Sequence, residues 1–159
     1  MRRFLLTATA APAVVALGTG GVALAAQTGA NSRAHHGNRF TVVERAITDT
    51  VADIGKKGDS LGDQLAFGNP VYTADNKIKI GNDLGNCVRT KVGVSWECSW
   101  TTVLPDGSIT VAGPFYDNSP SELAITGGTG RYAAARGEMR LRARDAAGTS
   151  YDFGFDIIG

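Results

Sequence analysis

The sequence predicts an all-β fold, a single antiparallel closed barrel of about eight strands that follows an N-terminal signal segment. Three observations lead there. From Phe40 onward apolar and polar residues alternate with period 2, and no stretch shows a 3.6-residue period. Turn-forming residues punctuate the alternation at Pro105-Asp106-Gly107, Asp117-Asn118-Ser119-Pro120, Gly127-Gly128-Thr129-Gly130 and Ala147-Gly148. Closure, finally, removes the exposed strand edges that a small all-β domain would otherwise present.

The N-terminus reads as a processing signal. Arg2 and Arg3 precede an apolar run over residues 4–24, and Ala23 and Ala25 stand at the small-residue positions of a cleavage site, so removal is expected before Ala26. The competing reading is a membrane helix, weakened by Pro12, Gly18, Gly20 and Gly21. No cysteine follows the run to carry a lipid. The expected location is therefore outside the cell, with no membrane contact once processed. Residues 26–38, polar and containing His35-His36, read as a flexible leader, and 39–159 as the barrel domain.

Without Arg2 and Arg3 the formal charge moves from +1 to −1, on a chain of about 130 residues. A balanced surface of that kind argues against a nucleic-acid partner. The length suits one domain with its own core.

Individual strands follow from parity. In Glu138-Met139-Arg140-Leu141-Arg142-Ala143-Arg144, Met139, Leu141 and Ala143 share one face and the charged residues the other. The arginine row is a solvated face, with an anion-binding stripe as the alternative. Tyr151, Phe153, Phe155 and Ile157 form the apolar face of the last strand, and Ile109, Val111, Gly113 and Phe115 that of an earlier one. Glu44 is in phase with Phe40 and Val42, and Asn69 with Leu65 and Phe67, so both are compatible with an inward direction. Trp96 and Trp100 share parity with Cys98. They either fill the core or stack on a ligand.

Cys87 and Cys98 fall nearly symmetrically about a turn at Val92-Gly93. In an exported chain such a pair forms a disulfide, worth about 2–3 kcal/mol for so short a loop. The other reading leaves Cys87 as a free thiol. Their spacing is not that of a metal site, and none is expected. Both histidines lie in the leader, which leaves no Ser-His-Asp or Cys-His arrangement in the domain. Gly127-Gly128-Thr129-Gly130 lacks the following Lys and helix of a phosphate loop. Among the carboxylates Glu44 is the inward candidate, whereas Glu97 and Glu138 are expected to face solvent.

Longer motifs carry a resemblance. Leu123-Ala124-Ile125-Thr126-Gly127-Gly128-Thr129-Gly130, followed by Ala135-Arg136-Gly137-Glu138, is similar to a signature shared by plant allene oxide cyclases and dirigent proteins. Phe67-Gly68-Asn69-Pro70-Val71-Tyr72-Thr73, Leu84-Gly85-Asn86-Cys87-Val88 and Val111-Ala112-Gly113-Pro114-Phe115 extend it. The resemblance implies an allene oxide cyclase-like barrel around an apolar ligand. It also implies an isomerase that closes a ring in a reactive unsaturated epoxide without a cofactor, by confining the substrate and excluding water. Trimers are implied in the same way.

By that resemblance Glu44 and Asn69 do the polar work, Asn69 matching an asparagine that helps hold a water. Cys87 matches a pocket cysteine, and Phe115, Trp96, Trp100 and Phe153 shape the cavity. Phe115 stands where the family has a tyrosine, Ala46 where it has an asparagine, and residues 46–53 lack its Ser-Pro pair. Half of the polar set is thus absent. This keeps open a non-enzymatic, dirigent-like carrier, or a structural barrel with a filled interior.

Overall fold

The computed structural model describes residues 38–158. The signal segment, all but the last residue of the leader, and His35-His36 lie outside the described residues. The chain runs through β1 (Asn38–Arg45), β2 (Thr50–Ala52), β3 (Gln64–Thr73), β4 (Lys79–Lys91), β5 (Ser95–Leu104), β6 (Gly107–Tyr116) and β7 (Ser121–Gly128). A 3₁₀ turn over Gly130–Tyr132 follows, then β8 (Gly137–Ala143) and β9 (Ser150–Ile157).

All pairings are antiparallel, in the order β1-β9-β8-β7-β6-β5-β4-β3, and β1 returns to β3 to close eight strands into a barrel. The ninth strand, β2, is additional and pairs only with β3. The β1–β3 seam is short, with Val42 opposite Thr73, Val43 opposite Tyr72 and Glu44 opposite Val71. Further along the same edge, β3 gives Gln64, Leu65 and Ala66 to β2. Between those two pairings, residues 67–70 of β3 face the connection that carries the chain from β1 to β2. Pro70, which has no N–H to offer a ladder, stands in this interval.

The inward face carries the core: Val42, Val71, Ile109, Val111, Leu123, Met139, Phe153 and Phe155 are all buried. Phe40 stacks on Phe155 at 5.1 Å and packs beside Tyr132 at 6.0 Å, closing one end of the barrel. Among the arginines of β8, Arg140 pairs with Glu122 across the outer face, and beyond the strand Arg144 pairs with Asp152.

The glycine corner divides its work. Gly130 has φ +57°, a left-handed conformation that glycine adopts without steric cost. Gly128 is extended, but a Cβ on it would collide with the carbonyl oxygens of Ser108 and Tyr132. Gly127 meets only the side chain of Arg136, at 3.7 Å.

Candidate functional site

The inner cavity lies in the half of the barrel toward the β4–β5 and β8–β9 connections. Its volume is about 60 Å³. Leu65, Phe67, Trp100, Phe115, Leu141 and Phe153 supply an apolar wall, and Cys87 and Cys98 add sulfur. Glu44, Asp49, Asp83 and Tyr151 bring the polar groups. Trp100 is held edge-on by Phe67 at 6.0 Å and packs on Phe153 at 5.6 Å.

Glu44 reaches this cavity because β1 presents Phe40, Val42 and Glu44 on one face. Its carboxylate accepts a 2.6 Å hydrogen bond from Nδ2 of Asn69, and the same nitrogen donates to Oδ1 of Asp49 at 2.7 Å. Oδ1 of Asn69 accepts from the backbone N–H of Ile47 and of Thr48, and from the Thr48 hydroxyl, at 2.9–3.0 Å. Asn69 thus spends both amide protons and its carbonyl on protein groups. It holds the 46–49 connection against the edge of β3 that neither β1 nor β2 covers, while it orients Glu44.

Burial pushes the Glu44 carboxyl up to about 7, with the nearby Asp49 charge adding to the rise and the Asn69 hydrogen bond opposing it. Asp83 also sits well above the usual carboxylate range, through burial first and the Glu44 charge second, against a hydrogen bond from the Thr102 hydroxyl. Burial, with Glu44 and Asp49 behind it, raises the Tyr151 phenol too. A carboxyl that titrates near 7 inside an apolar chamber can take or give a proton under neutral conditions.

Cys87 and Cys98 are opposite one another in the β4–β5 register and form a disulfide. Among the described residues no cysteine is free. Cys87 is therefore a sulfur in the cavity wall and not a thiol.

The structure brings Glu44, Cys87, Cys98, Trp100, Phe115 and Phe153 together on the cavity, with Asn69 directly behind Glu44. Trp96 is placed elsewhere, under the guanidinium of Arg89 at 3.9 Å. Arg89, itself buried, donates from Nη1 to both carboxylate oxygens of Asp117 and makes a second ion pair through Nε with Asp59 at 2.7 Å. Those contacts tie the 53–63 segment and the 117–120 loop together beside the cavity.

Asp83, Asp49 and Tyr151 were not among the site residues expected from sequence. Asp83 carried a usable signal: it is in phase with Gly85 and Cys87. Alternation by hydrophobicity concealed it, because Leu84 is 52 % exposed whereas Asp83 is 0 % exposed.

Family comparison agrees with this geometry. The allene oxide cyclase family model matches residues 43–144. The chain belongs to the allene oxide cyclase family. Among solved structures, a pyocyanin demethylase is 27 % identical, with a TM-score of 0.62 over 73 % of this chain and 98 % of that one. A pterocarpan synthase dirigent protein is 18 % identical, with a TM-score of 0.63 over 76 % of this chain and 92 % of its own. A Diels–Alderase from Streptomyces koyangensis is 15 % identical, with a TM-score of 0.62 over 78 % and 69 %. The likeness to these last two shows the fold alone. In this family member Phe115 lines the cavity without a hydroxyl, and Asp83 provides a buried acid on the opposite side of Asn69 from Glu44 in strand order.

Proposed function

We propose that this chain is an exported small-molecule-binding barrel that carries out a cofactor-free rearrangement, an isomerisation or ring closure, on a largely apolar unsaturated ligand. Glu44 is the group that moves the proton. The observation that carries this reading is a carboxyl brought to about 7 by burial and set in an aromatic chamber. Confinement between Phe67, Trp100 and Phe153 limits the conformers that the ligand can adopt, and the apolar wall keeps water from competing for a reactive intermediate. A protein of the same fold that is 27 % identical to this chain is a pyocyanin demethylase, which supports a small organic molecule as the ligand.

A second reading has its own support. The Asn69 amide is consumed by protein contacts, and Phe115 offers no hydroxyl. A barrel with fewer free polar groups suits a dirigent-like protein that orients a ligand for chemistry occurring elsewhere.

The test supplies an unsaturated fatty-acid allene oxide, generated in situ, to wild type, Glu44→Gln and buffer alone. A biased ratio of stereoisomers that is lost in Glu44→Gln while saturable binding persists supports the enzyme. An equal bias in both proteins supports the orienting role. Unchanged ratios with no saturable binding overturn both. Export is checked by the mass of the chain recovered from a host's medium, expected to begin at Ala26.

A further inference from the structure

Among the described residues, two polar atoms on residues of the cavity wall have no hydrogen-bond partner: Oδ2 of Asp83 and Nε1 of Trp100. Asp83 is completely buried, and Trp100 is 4 % exposed. Leaving a buried donor or acceptor unpaired costs about 1–3 kcal/mol, so two in one small chamber point to a ligand that supplies the missing partner.

Register places them as neighbours. Asp83 is opposite Thr102 and Gly85 is opposite Trp100, so Asp83 and Trp100 are diagonal on the inward face of adjacent strands. Diagonal pairs of this kind lie about 7–8 Å apart at the backbone, a span that one polar group between the two side chains can bridge. Both are held in place. The Thr102 hydroxyl fixes the other Asp83 oxygen at 2.8 Å. Phe67 and Phe153 hold the Trp100 ring, and any Cβ at Gly85 would overlap the backbone and Cβ of Trp100.

We propose that Asp83 and Trp100 form a two-donor clamp for a single oxygen of the ligand, in the same chamber as Glu44, and that the preferred substrate is an enolisable conjugated carbonyl compound. This rests on the small-molecule reading above and adds the substrate class. The Glu44 carboxylate removes a proton from the saturated carbon at the end of the conjugated system, the γ carbon. The C–H electron pair becomes a new C=C bond, the existing C=C pair shifts one bond toward the carbonyl, and the carbonyl π pair moves onto oxygen. Both clamp donors hydrogen-bond that oxygen as its charge develops. The electrons then return, and the Glu44 acid gives its proton to the carbon beside the carbonyl. No atom or electron is gained or lost.

The indole N–H is a donor at any ordinary pH. Burial, with the Glu44 charge behind it, raises the Asp83 carboxyl well above its ordinary value and favours the protonated form, in which its free oxygen also has a proton to offer. The remainder of the ligand has adjoining space. Phe115, Leu141 and Tyr151 line both the inner chamber and an outer basin of about 350 Å³ between the 117–120 loop and the β8–β9 connection.

Equilibrium dialysis with 2-naphthol, whose oxygen stands for the enolate oxygen, and with naphthalene, which lacks it, tests the clamp. Wild type is expected to prefer 2-naphthol by about tenfold or more, the yield of one to two net hydrogen bonds. Trp100→Phe and Asp83→Leu are each expected to cut that preference, read as the ratio of the two affinities in the same protein, by about threefold to tenfold. Asp83→Asn still offers a donor and is expected to keep more of the preference than Asp83→Leu. One of the two indole N–H proton resonances of the protein is expected to shift with 2-naphthol alone and to be missing in Trp100→Phe. Equal affinity for both probes, or an undiminished preference in Trp100→Phe, overturns the clamp and leaves the small-molecule reading standing. No uptake of either probe overturns both. Should Asp83→Leu fail to fold, Trp100→Phe, which preserves an aromatic ring, decides the matter with the resonance shift.

Discussion

Asn69 donates from Nδ2 to Oε1 of Glu44 at 2.6 Å, and its Oδ1 accepts from Ile47, Thr48 and the Thr48 hydroxyl. One amide therefore orients the proposed proton carrier and seals the stretch of wall where the edge of β3 away from β4 has no ladder partner. Asn69→Ala is expected to lower stability by about 3–5 kcal/mol, because several buried or half-buried groups lose their partner together. The urea midpoint measures it. A loss below about 1 kcal/mol would show that the connection does not depend on this amide.

Substituting Asp for Asn69 is expected to behave differently with pH. The new carboxyl would stand between Glu44 and Asp49 and could not ionise without repelling both. Stability of Asn69→Asp should therefore fall more steeply than that of wild type between pH 5 and 8. Parallel thermal-melting profiles for the two proteins would contradict this.

Glu44 itself makes stability depend on pH. Its folded-state value lies above the unfolded one, so the native protein binds more protons between the two, and stability declines as pH rises from about 4.5 to about 7. The shift corresponds to about 3 kcal/mol at alkaline pH. Glu44→Gln, which carries no charge, should be more stable than wild type at pH 8 and flatter across this range. If Glu44 acts as the base, turnover in wild type rises through about pH 7. A rate independent of pH from 5 to 9 would exclude that role.

The disulfide joins facing residues of neighbouring strands that lie only 11 positions apart along the chain. Reducing it, or replacing both cysteines by serine, is expected to cost about 2–3 kcal/mol by the loop-entropy estimate. Urea titrations with and without dithiothreitol give the value. Because both sulfurs also line the cavity, uptake of naphthalene should weaken on reduction even where the barrel remains folded.

At the glycine corner, Gly128→Ala is expected to cost several kcal/mol, since its Cβ would meet two backbone oxygens that cannot swing away. Gly127→Ala meets only the end of the Arg136 side chain and should stay within about 1 kcal/mol of wild type. Equal losses at the two positions would refute the distinction.

Much of the barrel was legible because a closed antiparallel sheet has an inside and an outside, and period 2 records which is which. The inward directions of Glu44, Phe115 and Phe153 follow from parity alone. The facing of Cys87 and Cys98 follows from their symmetry about a turn. Asp83 escaped because the usual sign of the pattern is reversed there, with Leu84 outward and Asp83 inward. Trp96 shares parity with Trp100, yet Arg89 covers it. Parity gives the face of a strand and not the height along the barrel axis. The extra strand β2, all of it exposed, left no apolar alternation to find.

By itself, then, the sequence determined the all-β class, the near-complete set of strands, the family and the inward acid on β1. These are local properties: alternation, turn chemistry and motif spacing depend on residues close in the chain. Only the tertiary structure decided which polar groups share a chamber. Glu44, Asn69, Asp83 and Trp100 come from four strands, and their meeting depends on the register of β1 on β3, β3 on β4 and β4 on β5. Register is a long-range outcome of closing the barrel, and so are the burial that brings Glu44 to about 7 and the two unpaired atoms beside it.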